Sequence, residues 1–243
     1  MKATGFQNIL IILRSGWFTF WISSKVLCKN LFSTMSREWF DKQRKIWASA
    51  LLSYVKVKYQ VFDPHHLTLE PGRCYIVMSN HGSLYDIPLL FLTFPKGLRM
   101  IAKKELFKVP VWGSAMKAGE IMIIDRQDRR QAIKDLAVVK EKMSTGIIPW
   151  IAPEGTRTRT GLLQPFKKGG FMIAMQTEAT IIPVGIRGAR SILPPDTFFD
   201  FHLHGSVEIH IGRPIDTRTY SSSQRDDLMK DVENAIRQLM GES

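Results

Sequence analysis

The chain reads as an α/β protein: a single domain with a central, largely parallel or mixed sheet flanked by helices, preceded by an N-terminal amphipathic two-helix membrane-binding segment. Three observations predict this. Beyond about residue 55, short apolar runs alternate with helical patterns, the sign of a sheet covered by helices. The central runs are continuously apolar, as strands buried on both faces require. The first 58 residues differ in kind, joining a long apolar stretch to a basic amphipathic one. A chain of 243 residues with 44% hydrophobic content can bury a full core, which excludes a disordered protein.

The elements follow in order. Phe6 to Ser24 (FQNILIILRSGWFTFWISS) is long enough to reach into a bilayer, but Arg14 interrupts it. An arginine near the centre of a spanning helix costs about 2.5–3.5 kcal/mol, so a shallow or re-entrant helix fits better than a clean span. Arg14 also splits any secretory h-region, and no small-x-small site follows, which argues against a cleaved signal peptide. From Trp39 the large apolar residues fall at Trp39, Phe40, Ile46, Trp47, Ala50, Leu51 and Tyr54, with Arg37, Asp41, Lys42, Arg44 and Lys45 opposite. That spacing predicts a helix with a basic back.

Strands are predicted at 55–62, 74–78, 99–102, 121–124, 147–151, 181–186 and 207–211. In the last, Val207, Ile209 and Ile211 alternate with Glu208 and His210, which suggests an edge strand. Helices are predicted at 87–94, 111–117, 129–143, 168–176 and 221–239. This divides the chain into a membrane-associating segment, 1–58, and a catalytic domain, 59–243.

The net charge is +12, and its placement matters more than its size. Residues 1–60 hold ten Lys and Arg against Glu38 and Asp41, a local +8, together with Trp17, Trp21, Trp39 and Trp47. Basic residues among aromatic ones suit either nucleic acid or an anionic membrane surface, and the helical stripe favours the membrane, with no nucleic-acid partner. Cys28 and Cys74 are far apart, which points to a reducing compartment without a structural metal. His202 and His204, with His65, His66 and His210 elsewhere, lack a third ligand nearby, so no metal is expected.

In such a fold, chemistry sits in loops leaving the strand ends. Four polar segments fall there: NHGSLYD, AKKELFKVP, IDRQ and APEGTRTRTG. Six histidines and twelve aspartates give roughly 0.3 His-x4-Asp spacings by chance, so His81 and Asp86 alone decide little. His81 and Asp86 could equally be a helix start and its cap, Glu154 to Arg157 a turn with an ion pair, and Asp125-Arg126 a surface pair.

The combination, in this order, resembles the 1-acylglycerol-3-phosphate (lysophosphatidic acid) acyltransferases of the glycerolipid acyltransferase group. The resemblance runs from about Ser79 to Ile186 and rests on four blocks: NHGSLYD; AKKELFKVPVWG through GEIMIIDR; PEGTRTRTG with FKKGG; and IIPVGI. Ile151-Ala152 stands where many members carry a Phe before Pro-Glu-Gly. The N-terminal two-helix segment also looks like the membrane-binding element of the short members.

Acyl transfer from a thioester to an alcohol needs a base for the hydroxyl proton, and imidazole suits it, which points to His81. Asp86 would hold the tautomer in which the other ring nitrogen accepts. No Gly-x-Ser-x-Gly elbow is present, and the resemblance implies no acyl-enzyme, so the acceptor hydroxyl itself would attack. The resemblance assigns Arg157 to the acceptor phosphate, which a planar guanidinium fits. Gly155 would let backbone approach, and Thr156 could add a hydroxyl. Lys104 would be a second cation near the phosphate or oxyanion, and Glu154 an orienter of its loop. Backbone amides near Gly155 are candidate oxyanion donors.

The implied reaction is transfer of a fatty acyl group to the sn-2 hydroxyl of 1-acyl-sn-glycerol 3-phosphate, giving phosphatidate. No cofactor is expected; acyl-CoA or acyl carrier protein would be the co-substrate. The expected partners are an anionic membrane surface and lysophosphatidate, at the cytoplasmic face of an inner or plasma membrane. Another lysolipid as acceptor, or a basic nucleic-acid-binding protein, are the alternatives.

Overall fold

The computed structural model describes residues 1–123 and 129–242, with side chains left undescribed at 129–136. Two helices open the chain: α1 (Gly5–Phe32) and α2 (Arg37–Tyr54). Each begins where a hydroxyl can cap it. Thr4 accepts from the Gln7 amide and Gln7 answers back, and Ser36 accepts from the Trp39 amide.

The body alternates β1 (Lys58–Phe62), β2 (Tyr75–Ser79), α3 (Asp86–Thr93), β3 (Leu98–Ala102), α4 (Trp112–Ala118) and β4 (Met122–Ile123). It continues through α5 (Arg129–Ser144), β5 (Ile148–Ile151), α6 (Gly169–Gln176), β6 (Thr180–Arg187), β7 (Ser206–Ile211), β8 (Ile215–Asp216) and α7 (Arg225–Met240). The strands form one mixed sheet in the order β1-β7-β6-β2-β5-β3-β4, with β8 beside β6. β2, β3, β4, β5 and β6 run parallel, so the segments that follow them leave from one edge of the sheet. β2 lies between β5 and β6, and the chain passes to opposite sides of it, which opens a crevice at the end of β2.

Period-two alternation divides the core in two. Val77, Trp150, Ile182 and Val184 face one layer with Leu89, Leu90, Ala48 and Leu52. Ile76, Ile151 and Ile181 face the other, with Met143, Phe171, Val232 and Ile236. Gly185 is required where α7 crosses β6, because a Cβ there would lie 2.5 Å from the Leu239 carbonyl carbon. Pro183 interrupts β6 harmlessly, since it falls between the residues paired with β8 and those paired with β7.

The structure corrects three sequence expectations. β7 is not an edge strand: it lies between β1 and β6. Its alternation arises because Val207, Ile209 and Ile211 meet the core while Glu208 and His210 face a side that α7 leaves partly open. The exposed edge is β1. Residues 55–57, expected in the first strand, instead close α2 and lead into β1.

Nor does α2 carry a basic back. Asp41, Gln43, Arg44, Ala48 and Leu52 form its buried face, while Lys42 and Lys45 are exposed. Asp41 accepts from Arg99 Nη1 at 2.6 Å and from the Gly97 amide at 2.9 Å. Arg99 is wholly buried, donates through Nε to the Gly119 carbonyl at 2.6 Å, and stacks on Phe40. Arg44 bonds the carbonyls of Phe94 and Pro95 and stacks on Phe91; burial pushes its pKa down to about 10 against the pull of Asp41. Arg37 is bidentate to Glu120, at 2.6 and 2.7 Å.

Replacing one member of a buried ion pair strands the other's charge, which costs about 3–5 kcal/mol. Asp41→Ala is therefore expected to lower unfolding stability by about that amount, read as a shift in the denaturant midpoint. An unchanged midpoint would mean that Asp41 does not compensate Arg99.

Candidate active site

β2 ends in Ser79, and the chain turns through Asn80, His81, Gly82 and Ser83 before α3 begins at Asp86. Asn80 is buried and fastens this turn to β6: its side-chain amide donates to the Ile186 carbonyl and its oxygen accepts from the Ile186 amide, at 2.9 and 2.8 Å. Asp86, in the first turn of α3, directs Oδ2 back into the loop. That single oxygen accepts from the amides of Gly82 and Ser83 at 2.8 and 2.9 Å and lies 2.8 Å from His81 Nδ1.

A carboxylate only accepts, so His81 Nδ1 carries the proton and donates it to Asp86. Nε2 is then the basic nitrogen, and among the described residues no hydrogen bond occupies it. The imidazole stands edge-on to Trp150, with centroids 5.7 Å apart, and Trp150 Nε1 donates to Ser79 Oγ at 2.9 Å. The ring is thus held on one side by a carboxylate and on another by an apolar wall from β5.

The loop after β5 meets His81 along its backbone. Glu154 Oε1 accepts from the His81 amide at 2.7 Å, Oε2 accepts from the Gln164 amide at 2.9 Å, and the His81 carbonyl accepts from the Thr158 amide at 2.8 Å. Both main-chain polar groups of His81 are therefore bonded to residues 154–158. Glu154 is 2% exposed, and burial pushes its carboxyl above the usual range, against the pull of the two amides.

Of the residues singled out in the sequence, the structure brings His81, Asp86, Glu154, Gly155, Thr156 and Arg157 to this edge. Gly155 adopts φ +75° as the chain reverses, and its amide donates to the Ala152 carbonyl at 3.0 Å, so that amide is already used. Thr156 is exposed. Arg157 Nη1 is buried with no hydrogen-bond partner among the described residues, and its guanidinium lies 5.7 Å from the Phe198 ring centroid. Lys104 is exposed at the start of a 3-10 turn after β3, with β5 between that strand and β2. Asp125 and Arg126 of the second block lie outside the described residues.

Asn80, Ser83 and Thr158 lie within the quoted sequence blocks and hold the site by their hydrogen bonds, whereas Trp150, Gln164 and Phe198 lie outside the residues singled out in the sequence. Nothing local marks these three, because each reaches the site through the fold. Among the described residues no cluster of three or more His, Cys, Asp or Glu could hold a metal.

The comparisons with known proteins fall on the same segment. A family model described as acyltransferase matches residues 62–187. The chain belongs to the acyltransferase family. It is 31% identical, over 86% of its length, to a chloroplastic 1-acyl-sn-glycerol-3-phosphate acyltransferase of Brassica napus, and covers 58% of that relative. It is likewise 31% identical over 74% of its length to the human 1-acyl-sn-glycerol-3-phosphate acyltransferase beta, covering 64% of it. The chain thus spans about three fifths of the length of these relatives. The crystal structure of a 1-acyl-sn-glycerophosphate acyltransferase from Thermotoga maritima superposes with a TM-score of 0.80 at 25% identity, covering 97% of this chain and 96% of that one. The single mixed-sheet domain flanked by helices is the fold shared with that enzyme.

Glu154→Gln keeps the shape but turns an NH2 group toward an amide N–H. Leaving a buried donor unsatisfied costs about 1–3 kcal/mol, and if His81 is the reacting group, displacing it by a fraction of an ångström would slow transfer. We expect kcat to fall roughly 10- to 100-fold with the acceptor KM little changed. A fall confined to KM would make Glu154 a substrate contact instead.

Proposed function

We propose that this protein is a membrane-surface 1-acylglycerol-3-phosphate acyltransferase, moving a fatty acyl group from a thioester to the sn-2 hydroxyl and forming phosphatidate. The observation that supports this reading is the 2.8 Å contact of His81 Nδ1 with Asp86, which keeps Nε2 available to accept a proton. The relatives' names supply the acceptor and the reaction.

In this reading the acceptor hydroxyl donates its proton to Nε2 as its oxygen attacks the thioester carbonyl. Asp86 stabilises the imidazolium that forms. Collapse of the tetrahedral oxyanion expels the thiolate, which takes the proton back from Nε2 as the free thiol of CoA or acyl carrier protein. No group on the enzyme is acylated, so His81 serves first as base and then as acid. Arg157 grips the acceptor phosphate through its guanidinium, with Lys104 as a second cation from the β3 loop and Thr156 as a hydroxyl contact. Glu154 acts on the acceptor only through its loop. These chain residues suffice for the reaction written, which calls on no cofactor.

Membrane seating follows from α1. Its buried residues, Asn8, Ile11, Ile22, Ser23 and Val26, pack on the body with α2 and α4, while Phe6, Ile9, Leu13, Trp17, Phe20 and Trp21 are exposed. The helix is long and apolar enough to cross a membrane. A helix docked along one face on a polar domain cannot also be surrounded by lipid, so α1 lies in the interface with its outer face in the acyl region. Exposed Arg14, Lys42 and Lys45 can reach anionic headgroups, and the two-helix segment of residues 1–58 thereby presents the catalytic domain, 59–243, to its lipid substrate. We place the enzyme at the cytoplasmic face of an inner or plasma membrane, where acyl-CoA or acyl carrier protein is at hand.

Three experiments test this. With lysophosphatidate and either donor, His81→Ala should reduce turnover by at least about 100-fold. Arg157→Lys should raise the acceptor KM, with kcat/KM falling by about 1.5–3 kcal/mol and the donor KM unmoved. Activity of the Arg157→Lys enzyme toward a zwitterionic lysolipid should change far less, and equal losses on both acceptors would remove the phosphate assignment. For the membrane, Trp17→Asp with Phe20→Asp should abolish sedimentation with anionic vesicles at an unchanged melting temperature. Full binding by that variant would place the anchor elsewhere.

A further inference from the structure

The guanidinium of Arg157 has a peculiar setting. Among the described residues it makes no hydrogen bond or ion pair, and Nη1 is buried. A long side chain without such a partner ordinarily samples many rotamers, and a site that must meet a phosphate in a fixed orientation cannot tolerate that. What lies over the group is an aromatic ring, Phe198, with its centroid 5.7 Å from the guanidinium carbon. That distance is within the range at which a ring face attracts a cation.

Phe198 is not a core residue that happens to touch an arginine. It is 61% exposed, and Phe199 beside it is 65% exposed. Its position comes instead from the pinning of the loop that carries it. At one end the Leu193 carbonyl accepts from Ser83 Oγ at 3.0 Å, and Ser83 is a residue whose amide binds Asp86. In the middle Asp196 pairs with Arg159 at 2.9 Å. At the other end Asp200 pairs with Lys2 at 3.0 Å, and the Phe201 carbonyl accepts from the Ala3 amide at 2.8 Å. The loop is therefore fastened to the His81–Asp86 turn, to the segment carrying Arg157 and to the residues that lead into α1.

We propose that Phe198 is a positioning residue for the acceptor's phosphate monoester: its ring fixes one face of the Arg157 guanidinium so that the remaining donors point into the crevice. The proposal rests on the reading that Arg157 binds that phosphate. Because the ring stands on the side of the molecule where the N-terminal residues lead into α1, seating on a bilayer would remove water from the ring and its cation together. Desolvation strengthens this kind of contact.

The test is steady-state kinetics of the purified full chain on lysophosphatidate dispersed in vesicles, with four variants. Phe198→Leu keeps an apolar side chain but loses the ring. It should raise the acceptor KM roughly 3- to 30-fold, the fold-change that a lost cation–π contact corresponds to. The donor KM and kcat should stay within about twofold. Phe198→Tyr, which keeps the ring, should restore the wild-type KM. In an Arg157→Ala background, Phe198→Leu should add no further increase, since the ring would have nothing to hold. Melting temperature should be the same for Phe198→Leu and Phe198→Tyr, because that side chain is exposed, and KM is compared with each variant fully vesicle-bound, as sedimentation checks.

An unchanged KM in Phe198→Leu, a loss falling on kcat, or a full additional loss in the Arg157→Ala background would each overturn the proposal while leaving Arg157 as the phosphate ligand. If Arg157→Ala itself left the acceptor KM unmoved, the phosphate assignment would fall, and the role of Phe198 with it.

Discussion

The site depends on how the main chain of His81 is held. Its N–H and C=O are both bonded to one segment, the first to the Glu154 carboxylate and the second to the Thr158 amide. A side chain can be aimed only as well as its Cα is placed, and these two bonds place it relative to the loop that carries Arg157. The imidazole then needs two further restraints, and it has them in Asp86 Oδ2 and the Trp150 wall. A buried carboxylate spent on two backbone amides is costly, as the upward push on the Glu154 carboxyl shows.

The same logic recurs where the helical pair meets the sheet. Three arginines there are used for construction: Arg99 and Arg44 share Asp41, and Arg37 clasps Glu120. Each guanidinium satisfies carbonyls that no apolar residue could satisfy, at Gly119, at Phe94 and Pro95, and at Thr145. The result is that α2 is tied to β3 and the chain before it by buried polar bonds, and α1 packs in turn on α2 and α4. Charge counted along residues 1–60 thus overstates what a membrane would meet, since Arg44 is buried and Arg37 is paired with Glu120.

Much of the fold and of the site was legible in the sequence, for reasons that differ by element. β2, β5 and β6 stood out because strands covered on both faces must be apolar throughout. His81, Asp86 and the 154–157 turn stood out because a local loop must carry its chemistry in a short run. What could not be read was sequence-distant. The position of β7 beside β6 depends on where α7 ends its cover, and alternation alone cannot distinguish a half-covered interior strand from an edge. Asp41 and Arg44 looked like surface charge because their partners, Arg99 and the carbonyls before β3, lie some 50 residues away. Trp150 looked like core, and is core, yet its ring also walls the imidazole.

An enzyme whose acceptor is an amphiphile must reach a hydroxyl that sits a few ångströms from a headgroup held at the bilayer surface. A deep pocket would demand that the lipid be pulled out, with the exposure of its chain to water as the cost. A site at a sheet edge avoids this, provided the edge is held at the right height above the bilayer. The N-terminal strap supplies such a fixture: the Met1 carbonyl and Ala3 amide pair with Leu203 and Phe201, and the Asn8 side chain bonds the Phe201 amide at 3.0 Å. Leu193, in the chain leading to that strap, is bonded to Ser83 of the base loop. The residues that lead into α1 and the loop of His81 are therefore joined through hydrogen bonds spanning about ten residues of chain. The covalent path from Trp17 to His81 is long, but the hydrogen-bonded one is short, and under the proposed function it is the short path that would set where the base stands relative to the lipid.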